Sequence, residues 1–322
     1  MKLSVKRPVR GWLGRRAQRL AGRGATTVLL AVLGLSSLLG LGLVVTGCGG
    51  SSGEGPREKA GLSVVADLSF LADIAQNVAG DRLKVTSLVP EGADPHSFQA
   101  TPSDAERLAS ADLILINVAG LVPSLDELIR GAAKPEVPVV EAAAGVPGAR
   151  EDPHVWLDPL NVLAYVDNIV AGLKQVDPEG AEVFAANAEE YKGRLRELDA
   201  WIVSQVETVP PERRLLVTEH ESLGYFARRY GFTVVGTIFP SVSGESAPSA
   251  RHLAELVAAI KSSRAPAVFV EVGSNGELAA RVAEEAGVKL VSGLRLHSLD
   301  HEVPTYLDMM RVNAETIVNA LR

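Results

Sequence analysis

The feature that most constrains this chain is a rhythm. From Leu62 onward, short apolar runs alternate with segments of helical period. "LSVVA", "LKVTSLVP", "DLILIN" and "VPVVEA" read as strands, and "FLADIAQNVAG", "TPSDAERLASA" and "SLDELIRGAA" read as the helices between them. Apolar runs this short, bounded by turn residues, fit strands covered on both faces. Regular alternation of the two types builds βα units around a parallel sheet. One helix start is well defined: Thr101 precedes Pro102, with Asp104 three residues on, which supplies an N-cap, a proline at the first helical position and an acid at the third.

The rhythm breaks once. After "LDPLNVLAYVDNIVAGLKQVDPEG" comes "AEVFAANAEEYKGRLRELDAWIVSQVETV", without proline and with Gly193 as its one glycine. Phe184, Ala188, Tyr191, Leu195, Leu198, Ile202 and Val206 recur at helical spacing. A single helix of roughly 25 residues is expected, about 35–40 Å long. Alternation then resumes through "RLLVTEH", "LGYFARRYG", "TVVGTIF", "SAPSARHLAELVAAIKSSRA", "AVFVEV", "NGELAARVAEEAG" and "VKLVSGL" to a last helix, "TYLDMMRVNAETIVNALR". The expected fold is α/β: two βα lobes with parallel-type sheets, joined by one long rigid helix. Its divisions are a first lobe at 61–178, the linking helix at 179–208 and a second lobe at 209–322.

The first 47 residues do not fit this scheme. They hold eight of the 32 Lys+Arg and no acid, followed by the apolar "TTVLLAVLGLSSLLGLGLVV". A basic start and an apolar stretch have the form of a secretion signal, here 1–47. Its end, Val45-Thr46-Gly47-Cys48, resembles the bacterial lipobox. On that resemblance Cys48 is lipidated, and 48–60, with "GGSSGEG", is a flexible tether to the membrane. Cys48 is the one cysteine, so no internal disulfide forms. Removing the signal leaves 24 Lys+Arg against 39 Asp+Glu, a net charge of about −15 with His neutral. An exported chain this acidic is a poor partner for nucleic acid and a fair one for cations.

Four of the six histidines sit where strands end or loops begin. His96 follows "LKVTSLVP", His154 lies in "EDPHVWLDP", His220 ends "RLLVTEH" and His297 follows "VKLVSGL". In parallel α/β sheets ligands bind beyond the carboxyl ends of strands. Two of the four come from each lobe, and such pairs can converge on an interlobe cleft. Neutral imidazoles suit borderline divalent metals, and four of them in a tetrahedron suit Zn²⁺.

The words "GADPHSFQATPSDAERLASADLILIN", "DPHVWLDPLN", "TEHESLGYFARRYGF" and "PTYLDMMRVNAETIVNAL" resemble the cluster A-I metal-binding lipoproteins of bacterial zinc and manganese ABC importers. The likeness covers 62–322 in family order. It implies a non-catalytic binding protein with the metal between two lobes joined by a rigid helix. It also implies an ABC permease and its ATPase as partners, an extracytoplasmic, lipid-anchored location and a monomer. By position in the matching words, His96, His154 and His220 are the first three ligands. A histidine at the third resembles the zinc-type members, where manganese members often carry Glu. The fourth position departs from the family: His297 stands where an Asp is usual, with Asp300, His301 and Glu302 as nearby alternatives. The cargo expected is Zn²⁺, with Mn²⁺ as the alternative. A zinc hydrolase with an open coordination position and a surface adhesin are the other function classes.

Around these residues, Asp94 and Asp152 each precede Pro-His and are expected either to accept an imidazole N–H or to form Asx turns. Glu219, Glu221 or Asp94 is expected to offset the ion's charge. Trp156 is expected to pack the cleft floor, His252 to lie on a solvated helix face and His301 to be exposed; Glu271, at the end of "AVFVEV", is expected at the same cleft, as a structural hydrogen-bonding group or a spare acid. The segment before His154, "AAAGVPGAREDPH", contains no metal-collecting histidine loop.

Overall fold

The computed structural model describes residues 61–241, 243 and 247–322. The signal segment, Cys48 and the tether 48–60 lie outside the described residues. No described helix is long and apolar enough to cross a membrane.

The first lobe runs β1 (Val64–Ala66), α1 (Ser69–Ala79), β2 (Val85–Ser87), α2 (Pro102–Ser110), β3 (Leu113–Ile116), α3 (Pro123–Ala132), β4 (Val139–Glu141) and α4 (Val162–Val176). Its sheet is parallel throughout, in the order β2-β1-β3-β4. The strands are shorter than the apolar runs that announce them. Past the end of β2, Leu88 and Val89 are buried and still donate their N–H groups to the Ala66 and Asp67 carbonyls, at 2.8 and 2.9 Å. At the start of α2 the Thr101 hydroxyl accepts from Asp104 N, and the Asp104 carboxylate accepts from Thr101 N. That capping box is worth about 1 kcal/mol and fixes where the loop carrying His96 must end.

The sheet order reverses between β1 and β3, the crevice position in such sheets. There Asp67 and Asn117, the residues just after each strand, meet: Asn117 N donates to Asp67 Oδ2 at 2.8 Å.

α5 (Ala181–Val206) is one uninterrupted helix of 26 residues. All seven residues of its expected apolar stripe are buried. It packs on α1 and α4 on one side and on α9 (Tyr306–Leu321) on the other. The linking helix is therefore part of a core shared by both lobes, not a free rod.

The second lobe carries β5 (Leu215–Thr218), α6 (Gly224–Tyr230), β6 (Thr233–Thr237), α7 (Ala250–Ser263), β7 (Ala267–Glu271), α8 (Glu277–Ala286), β8 (Lys289–Leu294) and α9. Its strands form two parallel pairs, β5-β6 and β7-β8, with β5 beside β7. Each pair contains a register shift, and the one in β7-β8 sets Glu271 opposite Leu294. Gly293, at φ 113°, absorbs that shift, in a backbone region that side chains with a Cβ rarely enter. A second apolar cluster, with Val217, Ile260 and Val268 at its centre, fills the space under α7 and α8.

Candidate metal centre

Each of the four histidines is placed by a short-range device. Asp94 and Asp152 use one carboxylate oxygen to accept the backbone N–H of the histidine two residues on, at 3.0 and 3.1 Å. Proline between them restricts the aspartate to extended backbone, so the turn is stiff before any ligand arrives. His220 lies two residues beyond β5, where the Thr218 hydroxyl donates to its carbonyl at 2.8 Å. His297 lies three residues beyond β8, after the shifted register.

The topology brings the four rings together across the lobes. Their centroids lie 5.1–5.7 Å apart. One ligand atom from each lies within 4.8 Å of all the others. A tetrahedral zinc–nitrogen site has edges of about 3.3 Å, so closure asks for movements on the order of 1 Å per ring. The Nε2 atoms of His154 and His297 are already 3.0 Å apart. The Nε2 atoms of His96 and His220 are buried without any hydrogen-bond partner. Orphaned buried nitrogens cost about 1–3 kcal/mol each unless something occupies them. Two such nitrogens in one cluster of four imidazoles fit a cation.

The outer nitrogens are held by carboxylates. His154 Nδ1 lies 2.9 Å from Asp152 Oδ1, and His297 Nδ1 lies 2.8 Å from Glu271 Oε2. Glu271 Oε1 also sits 3.6 Å from His220 Nδ1. A carboxylate on Nδ1 selects the tautomer that presents Nε2 to a metal. The two aspartates thus divide the alternatives left by the sequence: Asp94 is a turn former, its other oxygen taken by Ser97 at 2.9 Å, whereas Asp152 does both jobs.

The electrostatics set the imidazoles apart. Burial, helped by the His297 charge, drives His96 down to about 3 and His220 to about 4. Burial holds His154 well below its ordinary value. Burial also opposes charge on His297, but the charge and hydrogen bond of Glu271 win and raise its pKa. Glu271 mirrors this: burial pushes it up, and the His297 and His220 imidazoles outweigh that and hold it below the usual glutamate range. Of the four imidazoles, His297 is therefore the one most readily protonated, with Glu271 as its counter-charge.

Some expectations need correction, while those for His301 and Trp156 stand. The carboxylate in contact with the histidines is Glu271, while Asp94 and Glu219 favour charge on His297 from farther off. The Glu219 carboxylate accepts from Glu271 N at 2.8 Å, burial raises its pKa, and Glu221 is exposed. His252 is half-buried, its Nε2 2.8 Å from the Thr237 carbonyl, so it ties α7 to the end of β6 rather than facing solvent. Asp300 and Glu302 turn away to Arg295, at 2.6 and 2.7 Å, and His301 is exposed. Trp156 is fully buried under the site, 5.4 Å from the His154 ring and 5.9 Å from the His297 ring. Its indole N–H donates to the Leu296 carbonyl at 2.8 Å, which pins the His297 loop to the first lobe. A cavity of about 410 Å³, lined by Asp94, His96, Phe239, Val272, Asn275 and His297 among others, opens from the histidines.

Comparison with known proteins places this geometry. The profile of the family described as zinc-uptake complex component A, periplasmic (ZnuA), matches residues 64–320. The chain is 34% identical over 288 residues to the manganese-binding lipoprotein MntA of Halalkalibacterium halodurans, covering 87% of this chain and 95% of that one. It superposes on the periplasmic zinc-binding protein TroA of Treponema pallidum with a TM-score of 0.75 and 30% identity, over 81% of this chain and 99% of that one. The Mn-bound periplasmic metal-binding protein of Candidatus Liberibacter asiaticus gives a TM-score of 0.73 at 30% identity, over 81% of this chain and 100% of that one. The chain therefore belongs to the zinc-uptake complex component A family of metal-binding proteins.

Proposed function

We propose that this protein captures a divalent cation, zinc in preference to manganese, outside the cytoplasmic membrane and passes it to an ABC permease driven by its ATPase. His96, His154, His220 and His297 are the ligands. The observation that carries the reading is the convergence of four buried imidazoles in which the Nε2 atoms of His96 and His220 have no other partner. Four nitrogen donors favour zinc, whereas manganese gains from oxygen donors. The names of relatives include both metals, so the donor set and not the likeness supports the zinc preference. In the same reading, 1–47 is removed as a signal, Cys48 carries the lipid, and 48–60 tethers a monomer of two lobes, 61–178 and 209–322, about the helix at 179–208. No nucleic acid is involved.

Isothermal titration with Zn²⁺ and with Mn²⁺ tests this. One zinc per chain, bound more tightly than manganese and weakened by more than about 100-fold in His297→Ala, is the expected result. Absence of stoichiometric binding would sink the importer reading, and an unchanged affinity in His297→Ala would remove the fourth ligand.

A further inference from the structure

The Asp152-Pro153-His154 turn belongs to the first lobe, yet the second lobe closes round it. On the first-lobe side, Asn117 Nδ2 donates to the Pro153 carbonyl at 3.0 Å, from the sheet's reversal point. On the other side stands the first turn of α6. Tyr225 there donates its hydroxyl to the Pro147 carbonyl at 2.9 Å, and the Arg228 guanidinium stacks 4.3 Å from the Tyr225 ring. Between these contacts is Gly224. A Cβ on Gly224 would lie 2.8 Å from Asp152 Oδ2, closer than such atoms approach, and 3.4 Å from Arg228 Nη1.

The same carboxylate holds His154 Nδ1 through its other oxygen. α6 cannot easily retreat, because Tyr225, Phe226 and Ala227 behind Gly224 are buried. The short Asp152 side chain has only two torsions, so the group that yields is the carboxylate. Any rotation that clears Oδ2 also takes Oδ1 off the imidazole.

We propose that Gly224 is a positioning residue for the metal site: its lack of a side chain lets the second lobe seat the Asp152 carboxylate that aims His154. No ligand contacts Gly224, and the effect passes through one hydrogen bond. This rests on the reading of His154 as a ligand. The consequence is a separation of stability from function. Adding a methyl at a helix start is close to neutral or favourable for folding where the backbone allows it. Losing a carboxylate behind a ligating imidazole costs about 10–100-fold in metal affinity.

The test is a double-mutant cycle read by zinc affinity in chelator competition, with melting temperature and the His154 Nδ1 proton and ring nitrogen resonances of the ion-free protein recorded for each variant. Gly224→Ala should weaken zinc binding by about 10-fold and shift or broaden the Nδ1 proton. In an Asp152→Ala background the same change should cost less than about 2-fold, because coupled residues do not add. Gly193→Ala, with open space round its Cβ, serves as the control. Equal zinc affinity in Gly224→Ala and wild type, or losses that simply add in the double variant, would overturn the proposal. If Gly224→Ala fails to fold, the double variant decides: recovery of folding locates the clash at Asp152, and continued failure refutes it. If wild type binds no zinc, the proposed function fails by itself, and the Nδ1 resonance still decides the role of Gly224.

Discussion

Replacing Glu271 by glutamine should alter both the strength of metal binding and its dependence on pH. Glu271 touches two of the four rings, through His297 Nδ1 at 2.8 Å and His220 Nδ1 at 3.6 Å. Four neutral imidazoles leave a dication uncompensated, so this carboxylate is the nearest balancing charge. At a separation on the order of 6 Å and an effective dielectric of about 20, one carboxylate attracts a dication by about 5 kcal/mol. The ion-free site already spends part of that on the His297 imidazolium, which carries half the charge. The net loss in the variant is therefore about 2–3 kcal/mol, or 10–100-fold in affinity, in line with other carboxylates behind metal-bound histidines. The sign of the pH effect follows from the same pair. His297 is raised above its ordinary value, so zinc must displace one proton wherever the pH is below that raised pKa, and affinity falls about tenfold per unit there. His96, near 3, and His220, near 4, add nothing until far lower pH. In Glu271→Gln the cause of the raised value is gone, and the falling limb should move to below about 6.5. Calorimetry in two buffers of different ionisation enthalpy counts the displaced protons. Wild type should release more protons than the variant near pH 6.5. Equal proton counts in the two proteins, or release of three or four protons by wild type, would refute the reasoning.

Other consequences can be measured on the same preparation. His297→Asp should retain zinc while narrowing its advantage over manganese, read by competition of the two ions, because one nitrogen donor becomes an oxygen. Trp156→Phe removes the N–H that satisfies the Leu296 carbonyl, so a loss of about 1–3 kcal/mol in denaturant unfolding is expected, together with weaker zinc binding. Leu198→Ala, in the fully buried stripe of α5, should cost about 2–5 kcal/mol in stability, and His96→Ala should cost little stability while weakening binding strongly. Zinc at about 1,000 times its dissociation constant should add about 4 kcal/mol to the stability of wild type, seen as a rise in Tm.

Much of the fold was legible because its signals are local. The α5 stripe from Phe184 to Val206 and the Thr101-Asp104 capping box depend on neighbours in sequence, and both appear in the structure as periodicity and capping require. His220 and His297 were legible as strand-end residues, just beyond β5 and β8, whereas His96 and His154 lie far along loops and were picked out mainly by their resemblance to the family's Asp-Pro-His words. What the sequence hides is every relation that depends on register. Glu271 is placed at the cleft by its strand end, but its contact with His297 follows the one-residue slip of β8 against β7 at Gly293, which the apolar pattern of "VKLVSGL" does not announce. His252 looks solvated because a helical period tells which face a residue takes, and not whether a strand end lies beneath that face.

The rigidity of the frame bears on how a cargo leaves. α5 shares one apolar core with α1, α4 and α9, and Trp156 and Tyr306 join the lobes directly under the histidines, the Tyr306 hydroxyl donating to the Trp156 carbonyl at 2.6 Å. A hinge opening would have to break that core. His96 is different: it sits on the loop between β2 and α2, held by one Asx turn and lining the open cavity. Across the cleft that loop is tied to the His297 loop through Gly92, whose N–H reaches the Leu299 carbonyl at 3.0 Å and the Ser298 hydroxyl at 2.8 Å. Loss of those two contacts frees one histidine while leaving the other three in place, a far smaller cost than parting the lobes. Release by way of His96 predicts that Ser298→Ala speeds zinc dissociation in stopped-flow chelation more than it alters Tm. A dissociation rate equal to wild type would instead assign release to the lobes.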